Sequence, residues 1–477
     1  MRKQLRRTGA LACTGAVIFG GLAVAAGARA DAQLTPIDQL LGQPTPGVTA
    51  LAKVQSRLAE VAATNGLPTD QLQRILATDK TAWLDAGSRL FYREPQLSPT
   101  QKSEEASPRW ATDAVAGATG PAFELHSKPG SNRVLYLDFD GHTITGTAWN
   151  AAKSIDPVNV SAYDTDGDPA NYSTAEQDVV RDVWARVAED YATFDVDVTT
   201  QAPAQSAIDR SGSADLQYGT RVLIDPDTWY QSGCGCGGVA YVGVYDNSSQ
   251  HDYYQPALVF TKGVGTGAKN LAEAASHEAG HNVGLSHDGT STVGYYQGHG
   301  SWAPIMGVGY YRGISQWSKG EYADANNKED DYGVVGTHGL ALRADEAGDT
   351  TSAAAALTVG TPVTGYIAAE TDTDVYKVTV GAAGNYTATA NAAASGGNLD
   401  IKLDLLNSAG TVVASADPAS GQTDAATPTG LSASVTANLA AGTYYLRIDN
   451  VGYGDPLNTG YSTYGSRGAY TVNIATA

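Results

Sequence analysis

The stretch Ser276-His277-Glu278-Ala279-Gly280-His281-Asn282-Val283-Gly284-Leu285-Ser286-His287-Asp288 decides how the chain is read. On a helix, His277 and His281 stand four residues apart, so both imidazoles leave one face. Two ring nitrogens on one face can grip a zinc ion at roughly 2.0–2.1 Å. Glu278 projects beside them, toward the open coordination position. There it can take a proton from an activated water and pass it to a leaving amine. Gly284 is where the helix must stop and the chain turn, which a residue without Cβ permits. The turn brings His287 round as third ligand. Three neutral imidazoles leave the open position that a catalytic zinc needs. Three of the chain's eight histidines fall at these spacings, which separates the pattern from a chance His-Glu-x-x-His on a surface helix.

Working outward, Val134 to Leu137 reads as a first strand and Ala175 to Tyr191 has helical periodicity. Phe194 to Thr199, Arg221 to Ile224, Gly238 to Tyr245 and Pro256 to Phe260 read as further strands. A helix follows, with Asn270 as N-cap and Glu273 completing a capping box. This order predicts an α/β (α+β) domain built on a mixed sheet. From Ser352 the chain changes to short alternating runs, among them Asp374 to Val380, Leu399 to Leu406 and Thr443 to Ile448. Gly, Asn, Ser and Pro separate them, the pattern of an antiparallel β-sandwich.

The formal net charge of −20 excludes nucleic acid and an anionic membrane surface as partners, because both need clustered Lys and Arg. The first thirty residues read as an export signal. Arg2, Lys3, Arg6 and Arg7 precede an apolar run, and Ala28-Arg29-Ala30 places small residues where a signal peptidase cuts, before Asp31. Residues 31 to 125 look like a propeptide and linker. Leu51, Val54, Leu58, Val61, Leu72, Ile75 and Leu76 carry helical spacing, and Ser98 to Gly120 is polar, an exposed cleavage zone. No cysteine lies between Asp31 and Ser232, so a thiol of this segment cannot cap the metal. The expected block is steric, or a carboxylate or imidazole, with Asp113 and His126 as candidates. Cys234 and Cys236 could form a small disulfide outside the cell, or be two small residues in a Gly-rich turn. Asp164, Asp166 and Asp168 place three carboxylates on a turn, which suits calcium but equally an ordinary acidic turn.

The extended zinc motif resembles that of the metzincin metallopeptidases, where a tight turn downstream carries a methionine beneath the zinc histidines. Met306, in Ala303-Pro304-Ile305-Met306-Gly307, is the chain's one methionine besides Met1. Asn282 and Asp288 are similar to the adamalysin (reprolysin) branch. The resemblance covers about residues 130 to 345 and implies a secreted zinc metalloendopeptidase acting on proteins or peptides. His277, His281 and His287 would hold the metal and Glu278 would be the general base. Gly284, Met306 and Asp288 would support the site. Some branches add a tyrosine ligand two residues past the methionine. That position is Val308, so no tyrosine ligand is assigned. In the family an edge strand ahead of the histidine helix takes substrate by strand addition, and Gly238 to Tyr245 is the candidate. The region from about 352 resembles the bacterial pre-peptidase C-terminal domain through Asp372-Thr373-Asp374-Val375-Tyr376, Leu403-Asp404-Leu405, Gly442-Thr443-Tyr444-Tyr445-Leu446 and Gly468-Ala469-Tyr470.

The expected organisation is therefore a signal at 1–30, a propeptide and linker at 31–125, a peptidase domain at 126–350 and a sandwich at 351–477. Two rivals stand against it. Asp138-Phe139-Asp140-Gly141 with Asp330-Asp331 echoes the aspartate-nucleophile phosphatases, but His142 interrupts their motif. A non-catalytic secreted binding protein could keep a relic zinc site, but such relics often lose the general base, and Glu278 is present.

Overall fold

The computed structural model of the protein describes residues 36–103 and 122–477. The expected export signal and Asp113 lie outside the described residues. Among those described, no helix is long and apolar enough to cross a membrane.

One mixed sheet of eight strands organises the first two thirds of the described chain. Its order is Thr45–Pro46, Ala82–Leu84, Leu90–Pro95, Cys236–Tyr241, Ala257–Phe260, Tyr218–Asp225, Arg133–Asp138 and Asp197–Thr199. The last four run parallel to one another. All of Ala257–Phe260 and nearly all of Tyr218–Asp225 are buried, as expected where both faces of parallel strands are covered. Cys236–Tyr241 turns antiparallel to Ala257–Phe260. It would be the edge of the sheet if the chain began at residue 122. Instead the leading segment, 37–103, adds three strands beyond it.

That segment has a small core of its own. The helices Gly47–Val54, Leu58–Thr64 and Thr69–Thr78 bury Val54, Leu58, Val61, Leu72, Ile75 and Leu76 against Leu84, Leu90, Tyr92 and Val242. Burial of each such side chain contributes about 1.5–3 kcal/mol, enough to hold the segment as a folded unit against the sheet.

The helix Ala268–Asn282 runs under the sheet and is buried on nearly all sides, which its Ala and Gly content permits. Its start differs from expectation. Gly267 is the N-cap, and Asn270 lies inside the first turn, its Nδ2 donating to Val264 O at 3.1 Å. Glu273 is drawn off by Lys269 and by Ser315 Oγ at 2.7 Å, so it closes no capping box. Capping boxes form instead at Thr147 with Asn150 and at Ser173 with Glu176. The strand expected over Gly238 to Tyr245 spans Cys236–Tyr241. Gly243 adopts φ +62°, and the N–H groups of Gly243, Val244 and Tyr245 turn to the carbonyls of His281 and Asn282. Those carbonyls are orphans of the helix C-terminus, and this turn satisfies them.

The C-terminal region is a sandwich of a five-stranded and a four-stranded sheet, antiparallel except where Ala355–Leu357 runs parallel to Thr373–Val380. Ile401, Leu403, Leu446, Ile448, Val472 and Ile474 fill its interior. It meets the first region at the end of the helix Thr174–Asp190. Glu189 accepts from the backbone N–H of Asn398 at 3.2 Å and of Ala469 at 3.1 Å. Asp190 accepts from Asn398 Nδ2 at 2.8 Å and from Ser276 Oγ at 2.5 Å, tying the sandwich to the buried helix through one carboxylate.

Candidate metal centre

Three imidazoles meet at the C-terminal end of the helix Ala268–Asn282. In each, Nδ1 is engaged on the side away from the others. His277 Nδ1 donates to Ile305 O and His281 Nδ1 to Leu285 O, both at 2.8 Å. A carbonyl can only accept, so Nδ1 carries the proton and Nε2 keeps its lone pair. His287 Nδ1 faces Asp79 Oδ2 at 2.7 Å. The three Nε2 atoms then converge, those of His281 and His287 lying 3.1 Å apart. A tetrahedral ion with bonds of 2.0–2.1 Å sets its ligands about 3.3–3.4 Å from one another. His277 Nε2 is buried and has no hydrogen-bond partner. An orphaned lone pair facing two others is costly unless a cation answers it, so the donor set fits zinc.

Two backbone features shape the pocket. Gly284 takes φ +97° and turns the chain so that His287 comes back toward the helix; a Cβ there would lie 2.4 Å from the His338 ring. Met306 is fully buried beneath the helix, and a Cβ on Gly280 would meet its Sδ at 2.6 Å. The same turn receives the His277 hydrogen bond at Ile305 O, and Met306 O accepts from Asp288 N at 2.8 Å. Asp288 is buried; burial, with the Glu329 charge, pushes its carboxyl up to about 8. Asn282 ties the helix to the sheet, with Oδ1 accepting from Thr220 Oγ1 at 2.5 Å and Nδ2 donating to Tyr241 O at 2.9 Å.

Glu278 is buried, and its Oε2 has no partner. Burial, with the charge of Glu94, raises its carboxyl well above the ordinary range. It lies so close to the strand Cys236–Tyr241 that a Cβ on Gly238 would fall 2.0 Å from Glu278 Oε1. Gly238 is thus part of the site.

The leading segment enters the same pocket. Leu90–Pro95 pairs antiparallel with Cys236–Tyr241, with Phe91 opposite Tyr241 and Arg93 opposite Val239. Alternation along the strand puts Tyr92 and Glu94 on the face toward the histidines. The Tyr92 ring packs on His281 and His287 at centroid distances of 4.5 and 4.0 Å. Glu94 Oε1 lies 3.0 Å from His287 Nε2 and 3.4 Å from His281 Nε2, and Oε2 lies 3.7 Å from His277 Nε2. Burial alone would raise the Glu94 carboxyl, but His287, His281 and His277 outweigh it and hold the group well below the carboxylate range. For His287, burial disfavours the charge, but Glu94 and Asp79 together lift the imidazole to about 10. Tyr295 donates its hydroxyl to Glu94 Oε2, and its ring packs 4.1 Å from that of His287.

Glu94, Asp79, Gly238 and Tyr295 were not singled out in the sequence. The one signal for Glu94 was the run Leu90-Phe91-Tyr92-Arg93-Glu94, a short aromatic-rich, strand-forming stretch ending on a carboxylate, ahead of a chain expected to offer an edge strand. His126 is corrected: its Nδ1 pairs with Asp197 and its Nε2 with Gln201, at the opposite border of the sheet. Cys234 and Cys236 are joined as a disulfide at the start of the strand Cys236–Tyr241. Asp164 and Asp166 gather with Glu176, and Asp168 stands outside that group. Glu176 Oε1 accepts from Thr165 N and Asp164 Oδ1 from Asp166 N and Gly167 N, so these oxygens serve a hydrogen-bonded acidic turn. The rival acidic pairs have unrelated partners: Asp138 binds Arg221, while Asp331 Oδ2 accepts from Ser318 N at 2.8 Å.

Comparison with known proteins follows the same division. Residues 157–317 match metallo-peptidase family M12, and residues 372–450 match the bacterial pre-peptidase C-terminal domain. No curated protein matches the chain. Among solved structures, the pre-peptidase C-terminal domain of a Bacillus anthracis collagenase is similar at 18% identity and a TM-score of 0.18, covering 28% of this chain and 97% of that one. A periplasmic inhibitor of g-type lysozyme from Aeromonas hydrophila is similar at 16% identity and a TM-score of 0.16, covering 25% and 97%. A β-glucosidase from Paenibacillus barengoltzii shows 20% identity and a TM-score of 0.15, covering 27% and 12%. Residues 157–317 are thus similar to metallo-peptidase family M12, and residues 372–450 to the bacterial pre-peptidase C-terminal domain.

Proposed function

We propose that the protein is a secreted zinc-dependent metalloendopeptidase, made as a precursor whose leading segment, within residues 31–125, is an inhibitory propeptide. The mature enzyme would comprise the peptidase domain at 126–350 and the sandwich at 351–477 as an accessory module. The observation that carries this reading is the convergence of three buried imidazoles at the end of one helix, with the buried Glu278 next to His277 in the chain and its Oε2 without a partner.

His277, His281 and His287 would hold zinc, which supplies Lewis acidity and makes a water a nucleophile near neutral pH. Glu278 accepts the proton of the attacking water and delivers it to the departing amide nitrogen. Cys236–Tyr241 offers its free backbone edge to an extended peptide by strand addition, once the leading segment is gone. Gly238 keeps that edge close enough for the scissile bond to reach Glu278. The carbonyls of Ile305 and Leu285 fix the rings of His277 and His281, as partners behind metal ligands generally do, and Met306 packs beneath the helix at Gly280. Export rests on the basic and apolar N-terminus with its Ala-x-Ala site, and on the company of the C-terminal domain.

Replacing Glu278 with alanine tests the reading. Peptide hydrolysis by the mature protein should fall by at least ~10²–10⁴-fold, with zinc content unchanged. Near-normal turnover would remove Glu278 from the mechanism, whereas a wild-type protein that binds zinc but hydrolyses no peptide would favour the non-catalytic binding protein.

A further inference from the structure

We propose that the leading segment completes the metal centre of the precursor: Glu94 is its fourth ligand, and Asp79 is the carboxylate that orients His287. The proposal rests on the zinc reading above and says how that zinc is silenced.

The geometry around Glu94 is that of a coordination shell. One carboxylate and three Nε2 atoms, all buried, offer ligand atoms within 4.8 Å of one another. Glu94 Oε1 stands 3.0 and 3.4 Å from two of the nitrogens, close to the edge of a tetrahedron about an ion with bonds of roughly 2.0–2.1 Å. An anion taken from water into such a pocket costs several kcal/mol, and a cation at its centre offsets this. The strand is built to deliver the group. Its register shifts between Arg93 and Pro95, an irregularity of the kind that re-aims a side chain. Tyr92, two residues earlier on the same face, seals the histidines from one side. Arg93, on the other face, lies over Trp83 at 3.7 Å and pins the strand from behind. Tyr295, from the peptidase region, holds the second oxygen of Glu94.

Asp79 adds the other half. His277 and His281 take their Nδ1 acceptors from carbonyls of the peptidase region, but His287 takes its acceptor from the leading segment. Asp79 is itself fixed, with Oδ1 accepting from Thr81 N at 2.9 Å and from Thr81 Oγ1 at 2.6 Å. Loss of the segment therefore removes one ligand and one orienting carboxylate together. The position that Glu94 fills is the one a substrate must reach, so the precursor is closed by a carboxylate, with no thiol involved.

The test uses the full-length precursor carrying Glu278→Gln, so that the chain stays intact, loaded with Co²⁺ or Zn²⁺. The visible spectrum of the cobalt form should be four-coordinate and unmoved by added acetohydroxamate. Glu94→Gln should change that spectrum and make it respond to the hydroxamate, and should speed transfer of zinc to a chromophoric chelator by about tenfold or more. Asp79→Asn should leave the site closed to hydroxamate while weakening zinc retention by about 10–100-fold, the usual effect of losing a partner behind a ligand. Glu94→Asp, whose shorter arm withdraws the carboxylate, is the second variant and should open the site as Glu94→Gln does. Metal bound with the parent's spectrum and release rate in both Glu94 variants would overturn the proposal and leave the zinc reading standing. A parent precursor that takes up neither metal would overturn both.

Discussion

Gly284→Ala should damage both the fold and the metal site, by an amount that can be worked out from two contacts. Gly284 sits at φ +97°, where an L side chain costs about 1–2 kcal/mol. The new Cβ would also lie 2.4 Å from Cδ2 and Nε2 of His338. That ring must swing aside, at about 0.5–1.5 kcal/mol for a strained rotamer. It would also give up the contact of its Nδ1 with Asp246 Oδ1 at 2.9 Å, worth about 0.5–1.5 kcal/mol. The total is about 2–5 kcal/mol, which for a domain of this size lowers the melting temperature by roughly 4–20 °C. His287 follows the bend by three residues, so its retreat should weaken zinc as well. The assay is a thermal melt at fixed free zinc, run with His338→Ala as a second arm. In the His338→Ala background the steric part vanishes, and Gly284→Ala should then cost only the backbone part, about 1–2 kcal/mol. A single variant that melts with the wild type, or a double variant with no relief, would refute the reasoning.

Gly238→Ala should leave zinc in place and cut peptide hydrolysis by about 10²-fold, because its Cβ would displace Glu278 from the position proton transfer needs; unchanged turnover would show that the edge strand has slack there. A third expectation concerns pH and the seam between the two regions. Burial, opposed by the N–H groups of Ala469 and Asn398, raises the Glu189 carboxyl to about 8. Burial, with the Glu273 charge, raises Asp190 to about 7. A raised carboxyl holds its proton more firmly folded than unfolded, so this stability is full below about pH 4 and is lost as pH rises through 7 to 8. The melting temperature of wild type minus that of Glu189→Gln should therefore fall between pH 5 and 8; a difference independent of pH would contradict it.

How much of this was legible in the sequence depends on where each partner lies along the chain. The histidine motif is local: its ligands sit within eleven residues, two on one helix face and the third brought round by the Gly284 bend. Met306 was readable because a single methionine follows the motif. Val134 to Leu137, Val222 to Ile224 and Ala257–Phe260 were readable as short apolar runs, as strands buried on both faces are, and Phe194 to Thr199 by its alternation. Asp79 and Glu94 reach the site only through sheet pairing over more than 140 residues, and no periodicity within the leading segment encodes that register. The absence of cysteine narrows the expected block to sterics, a carboxylate or an imidazole; the residue of the leading segment that the structure places against the histidines is Glu94. His126 drew notice as a histidine in the right stretch, but a lone imidazole beside Asp197 is a structural pair. The capping box at Asn270 failed because Lys269 and Ser315 compete for Glu273, a contact no local pattern reveals.

The central claim is that three histidines hold one catalytic zinc, and metal analysis paired with a peptide digest tests it most directly. Purified mature protein should carry one zinc per chain, cleave a peptide library, lose activity to a chelator and regain it with zinc. His287→Ala should lose both metal and cleavage. Chelator-resistant cleavage by a metal-free protein, or full zinc content in His287→Ala, would contradict the account.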